Sequence, residues 1–168
     1  MKKLFLLLMA TGVIILAGCG SKKEELVNIP GMMYLDLTSH GFPITLSVPD
    51  STKGRFELIT QSWGATEIKV GKDFQISITE GAGDIALAKS DVAGNDVNKF
   101  KRYVIDEPNT ILYESEITQA EFHFYAIVKA GNTSYIVEDI KEEIFSEKKA
   151  QKMVESAKTI RAKEAVES

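Results

Sequence analysis

One cysteine and two histidines are all that the 168-residue sequence offers of the side chains most ready to act as thiolate nucleophile, metal ligand or neutral-pH acid–base. Cys19 lies near the start, His40 in the turn-like Ser39-His40-Gly41, and His123 inside an apolar run. No HExxH, no CxxC and no spaced His/Asp/Glu cluster accompanies them, so no zinc ligand set can be named. A lone strand histidine is more often packed, with its nitrogens satisfied by neighbours, than catalytic, because sites need convergent partners. An enzyme would have to assemble its site from dispersed residues, with His123 or Asp36 among them. The acidic pairs Glu24-Glu25, Asp106-Glu107, Glu138-Asp139 and Glu142-Glu143 are sequence neighbours. Glycosidase carboxylates must instead face each other across a cleft, and no EF-hand loop is present, so these pairs are expected on solvated turns and edges. Gly81-Ala82-Gly83 lacks the lysine and glycine spacing of a phosphate cradle, and Asp84 would repel an anion, so it is expected to be a loop into a helix cap. The expectation is no catalytic residue, no metal ligand and no cofactor. Trp63, in Ser62-Trp63-Gly64, either caps the core or contacts a partner. Burial is the weightier expectation, because large aromatics bury on average.

The surroundings of Cys19 give it a different task. Lys2-Lys3 precede an apolar run, Leu4 to Leu16, and the small pair Ala17-Gly18 stands directly before the cysteine. Charged start, short apolar core and small-residue exit are the parts of a secretory signal. The thirteen-residue run spans about 20 Å as a helix, short against a hydrocarbon core of about 30 Å. Leu16-Ala17-Gly18-Cys19 resembles the lipobox of bacterial lipoproteins. The resemblance implies cleavage between Gly18 and Cys19, a diacylglyceryl thioether on Cys19 and, in many bacteria, a fatty acid such as palmitate on its amine. A thiol suits that chemistry, since a thiolate is a good nucleophile at modest pKa. Two or more chains anchor durably where one does not. The alternative is a plain signal peptide, or a cytosolic protein with a buried cysteine. A single cysteine also excludes an internal disulfide.

Removing residues 1–18 leaves 150 residues, one ordinary domain able to bury a sizeable core. The 20 basic side chains become 18, against 24 acidic, a formal charge of −6. That balance argues against a nucleic-acid partner and against electrostatic adhesion to anionic lipid beyond the anchor. Residues 19–30 read as a lipid-anchored flexible tether. Lys23-Glu24-Glu25 loosely resembles a surface-export signal of one group of Gram-negative bacteria, and Gly20 after the cysteine favours the outer membrane where such sorting applies.

Residues 31–163 read as a single globular domain and 164–168 as a frayed tail. Ile44, Leu46 and Val48, then Phe74, Ile76 and Ile78, alternate with polar residues as half-buried strands do. The spacing up to Thr79 predicts an antiparallel meander of about five strands. Asp84 as cap, Ile85, Ala88 and Val92 at helical steps, and Gly94-Asn95 as stop predict a short middle helix. Further strands are expected at Lys101–Asp106, Ile111–Glu116, through Phe122–Val128 and at Tyr135–Ile140, with Gly131-Asn132 a hairpin turn. In the run Phe122 to Val128, Phe122, Phe124, Ala126 and Val128 alternate with His123, Tyr125 and Ile127, so both faces are mostly apolar, which suits the centre of a sheet with helices on each side. Ser146 as cap and the stripe Ala150, Met153, Val154, Ala157 and Ile160 predict a C-terminal helix.

The fold class expected is α+β: an antiparallel sheet of hairpins with a middle helix and a C-terminal helix packed on it. Ile44-Thr45-Leu46-Ser47-Val48-Pro49 early, and Glu121 to Ile160 late, resemble the PsbP family, an α/β/α sandwich. That fold serves unrelated roles, so no functional residue carries over. The function expected is that of a membrane-anchored envelope lipoprotein, non-catalytic, acting as a binding or accessory module toward an envelope protein. The alternatives are a small-ligand or apolar-cargo binder, which needs a cavity between helix and sheet, and an enzyme with a dispersed site. The domain is expected to be monomeric.

Overall fold

A two-residue turn at Gly131-Asn132 sets the frame of the molecule. In this computed structural model, which describes residues 30–163, Gly131 takes φ +62° while Asn132 keeps a negative φ, as a type II′ turn requires. That turn pairs Ala130 with Thr133 and, counting back, Tyr125 with Glu138. The signal, Cys19, the tether up to Ile29 and the tail 164–168 lie outside the described residues.

The elements are β1 (Met32–Asp36), β2 (Ile44–Pro49), β3 (Phe56–Thr60), β4 (Thr66–Val70), β5 (Phe74–Glu80), α1 (Ile85–Ala93), β6 (Lys99–Glu107), β7 (Thr110–Glu116), β8 (Ala120–Ala130), β9 (Thr133–Asp139), α2 (Glu147–Ala157) and β10 (Arg161–Ala162). Seven strands form an antiparallel sheet in the order β3-β4-β5-β9-β8-β7-β6, and β1-β2-β10 form a second, three-stranded sheet. The protein is therefore α+β and dominated by antiparallel strands. Among the described residues no helix is long and apolar enough to cross a membrane.

The expected five-strand meander is corrected: β1 and β2 belong to the small sheet, and only β3 to β5 run on as neighbours in the large one. The chain turns out of β2 through Asp50, whose carboxylate accepts the Thr52 N–H of a single 3₁₀ turn at Ser51–Lys53. The second edge of β2 is then closed by residues far along the chain. Arg161 and Ala162 pair with Thr45 and Ile44. Ser47 N–H donates to Thr159 Oγ1 at 2.8 Å, and Ser156 Oγ donates to the Ser47 carbonyl at 2.5 Å. An edge left open would expose unpaired backbone groups.

α2 fills the space between the two sheets. Ala150, Met153, Val154 and Ala157 are buried against Ile76, Phe124, Ala126 and Val137 of the large sheet and Ile44, Leu46 and Val48 of the small one. The stripe is as expected, but Ile160 falls past the end of the helix and is buried from the following turn. The Ser146 side chain makes no cap bond, although its backbone is extended as at an N-cap.

β8 lies between β9 and β7 with a helix on each face. Phe124, Ala126 and Ala130 face α2 in the core. The opposite face carries Glu121, His123, Tyr125 and Ile127, so its first half is polar rather than apolar. α1 lies over that face. A Cβ on Gly83, just before the helix, would come within 2.8 Å of Ile127 and 3.0 Å of the Tyr125 hydroxyl, so only glycine lets the chain pass so close.

Trp63 is the second correction. It sits in the β3–β4 turn and is 63% exposed, not in the core. The turn is closed by its own backbone, Gln61 N–H to Ala65 O and Gly64 N–H to Gln61 O. That geometry fixes the indole on the loop tip, at the strand pair farthest from α1.

Candidate functional site

α1 and α2 differ in how they meet the sheet. The Asp84 carboxylate caps α1 by accepting the N–H groups of Ala86 and Leu87 at 2.8 and 3.1 Å, which confirms the expected loop into a cap. Yet no residue of α1 is buried, and Leu87 is 58% exposed. Between this helix and the sheet lies a cleft of about 200 Å³. Asp84, Leu87, Ala88, Asp91 and Val92 line it from the helix side; Tyr113, Phe124, Tyr125 and Glu138 line it from the sheet, and Lys141, just past β9, completes the lining.

The hairpin register positions the sheet side. Tyr125 stands directly opposite Glu138, and Tyr113 on β7 directly opposite His123. The Tyr125 hydroxyl lies against Gly83 and Asp84, so β8 meets the start of α1 here. Burial raises its pKa above the usual phenol value. Tyr113 is nearly buried, its ring 5.7 Å from that of His123, and burial followed by the charges of Asp139 and Glu138 pushes its pKa far up. Glu138 is half-buried. Burial raises its pKa, Lys141 opposes the shift and Asp139 adds to it. No hydrogen bond or ion pair to another described residue holds its carboxylate. A partly desolvated, unpaired ionisable group in a cleft is a candidate functional group.

Behind Tyr113 lies a buried charged cluster. His123 Nδ1 is 2.7 Å from Asp139 Oδ2, and Nε2 is 3.4 Å from Glu121 Oε2, outside hydrogen-bond geometry. His123 and Asp139 are 2% and 3% exposed. Burial pushes the imidazolium toward losing its proton, but the bond and charge of Asp139, with Glu121, outweigh it, so the His123 pKa lies above its ordinary value. The other Asp139 oxygen accepts the Phe124 N–H at 2.7 Å, one residue beyond the last β8–β9 pair. Asp139 thus takes the place of a ladder carbonyl and orients the histidine. His123 does not line the cleft.

The expected packed histidine is therefore correct for Nδ1, while Nε2 faces a carboxylate without a hydrogen bond. The acidic pairs divide. Asp106 pairs with Lys89, Glu107 with Lys158 and Glu142 with Lys69, all at the surface as expected. Glu138-Asp139 is the exception: one carboxylate faces the cleft and the other is buried. The expectation of a solvated pair is corrected here, because the register of the Gly131-Asn132 turn puts both residues inside β9, with Glu138 opposite Tyr125. Asp36 bonds Thr38 and Lys163 in the small sheet, and His40 meets Thr60 Oγ1 at 3.1 Å, so neither joins His123. Trp63 lies at the β3 edge, separated from the cleft by β4 and β5. Among the described residues no group of three or more His, Cys, Asp or Glu stands where it could hold a metal.

No family model, curated protein or solved structure matches this chain. The site is a small recess whose helix wall mixes Leu87, Ala88 and Val92 with Asp84 and Asp91, facing two tyrosines and an unpaired carboxylate.

Proposed function

We propose that this protein is a lipid-anchored component of a bacterial cell envelope whose folded domain binds rather than catalyses, with the cleft beneath α1 as its binding site. The lipobox-like Leu16-Ala17-Gly18-Cys19 supports the anchor, and Gly20 supports the outer membrane where the envelope has one. The first strand begins at Met32, so about a dozen residues separate Cys19 from the domain, a reach of up to about 40 Å. A helix on each face of an antiparallel sheet supports a PsbP-like sandwich for residues 31–163.

The observation that carries the binding reading is the recess under α1. The opposite face of the sheet is filled by α2, whereas α1 stands over space. At about 200 Å³ the recess is smaller than the roughly 300–1,000 Å³ of drug-sized sites, so its ligand is small. An apolar cargo fits poorly, because carboxylates share the lining. The test uses full-length protein extracted from its own membranes in mild detergent. Mass spectrometry of what it releases on denaturation should find a small molecule that is missing from an Ala88→Phe variant, whose added ring fills the cleft. Identical, empty profiles would defeat the reading.

A second reading, an accessory role toward an envelope protein, is favoured by Trp63 at the β3–β4 tip and by Ile59, 38% exposed on the same edge strand. Exposed tryptophan is the residue type most enriched at interface hot spots.

A further inference from the structure

The cleft is not chemically neutral, and its lining selects a ligand class. Asp84, Asp91 and Glu138 face it against one cation, Lys141. The Asp84 carboxylate is engaged in capping α1. Glu138 has no such partner, and it is held half-buried between the sheet and the helix. Tyr125 stands beside it across the β8–β9 pair. Tyr113 is 6% exposed and lines the same space, and its hydroxyl has no hydrogen-bond partner among the described residues. A tyrosine hydroxyl and an unpaired carboxylate in one recess are two groups to which a ligand can hydrogen-bond.

We propose that the cleft binds a small organic cation, an alkylammonium held by Glu138 and seated against the rings of Tyr113 and Tyr125. This rests on the cleft being the binding site. An ammonium on a desolvated carboxylate forms a charge-assisted bond, and its alkyl or methyl groups carry positive charge onto the negative faces of aromatic rings. Leu87 and Val92 supply an apolar wall for the ligand's carbon. An anion would meet three carboxylates and no arginine in the lining. A neutral apolar ligand would leave Glu138 buried deeper and still unpaired, which is costly.

The test is a titration of the full-length, detergent-solubilised protein followed by amide NMR. The probes are choline, butylammonium, butyrate and the neutral carbon isostere of choline, in which tert-butyl replaces trimethylammonium. The cations should shift the amides of Tyr113, Tyr125 and Glu138 and bind about tenfold or more tighter than the isostere and butyrate. Glu138→Gln should remove that advantage while the spectrum stays dispersed. Lys141→Gln, a change at an exposed position, should tighten cation binding several-fold. Equal or stronger binding of the isostere or of butyrate at these same amides would overturn the ligand class and leave the cleft standing as a site. Failure of every probe to move the cleft amides would overturn both. No gain in Lys141→Gln would also contradict the proposal, whatever the folding of Glu138→Gln.

Discussion

His123 shows how two carboxylates can hold a charge in a place that disfavours it. Burial alone would lower its pKa; the bond and charge of Asp139 at 2.7 Å, with Glu121, outweigh burial and raise it. Because the folded-state pKa is raised, the protonated ring stabilises the fold fully below the ordinary histidine value of about 6.5, and that contribution is lost as pH rises through the higher folded value. Thermal melts of the wild type should therefore decline with pH above about 6.5 more steeply than those of His123→Gln. Removing one partner of a buried ion pair is harsher. Asp139→Asn should cost about 3 kcal/mol in urea unfolding, since it leaves His123 with a weaker partner. Glu138 has the opposite economy. Its pKa is raised by burial without a partner, so its ionised form opposes folding once pH exceeds the usual carboxylate range of about 4.3. Glu138→Gln should melt above the wild type near neutral pH and coincide with it near about pH 4, the mark of a residue retained for binding rather than stability. Of these groups, only His123 could be singled out from residue types. Its partners Glu121 and Asp139 became visible through strand register, which depends on where the hairpin turns.

At the scale of elements, the two helices differ in how much of the core they carry. α2 is locked between the sheets, and Met153→Ala should cost about 2–5 kcal/mol in chemical unfolding. α1 has no buried residue and depends on its cap. Asp84→Ala should cost only about 1 kcal/mol globally, while hydrogen exchange of Ile85–Ala93 accelerates and that of α2 does not change. Both helices were legible: Asp84 and Gly94 bracket one, and the apolar stripe at Ala150, Met153, Val154 and Ala157 defines the other. The clear alternations at Ile44–Val48 and Phe74–Ile78 became strands. Alternation tells which face of a strand is buried but not which sheet it joins, so the division of the first five strands between two sheets was not legible. β10 escaped for a related reason. Two exposed residues, Arg161 and Ala162, carry no pattern, and they pair with β2 because α2 delivers them to its open edge. Trp63 was misplaced because average burial was applied to a turn whose backbone closes on itself and holds the side chain outward.

The whole molecule combines a packed side and an open one. One face of the large sheet carries the core, with α2 and the small sheet closing it; the other carries α1 over a recess with an unpaired acid. The formal charge of −6 expected after signal removal gives the domain no electrostatic reason to lie on anionic lipid, so in this account the Cys19 lipid alone sets its location. The expected anchor rests on contiguous residues, Lys2 to Cys19, which lie outside the described residues, whereas the recess is assembled from α1, β7, β8 and β9 and no contiguous stretch announces it. The proposed function requires that the domain be held at a membrane through Cys19. The most direct measurement is the intact mass of the protein purified from its own cells, with its N-terminal peptide sequenced. The expected result is a chain that begins at Cys19 and carries diacylglyceryl and fatty-acyl mass on that residue. A chain that begins elsewhere, or a Cys19 with a free thiol, would contradict it.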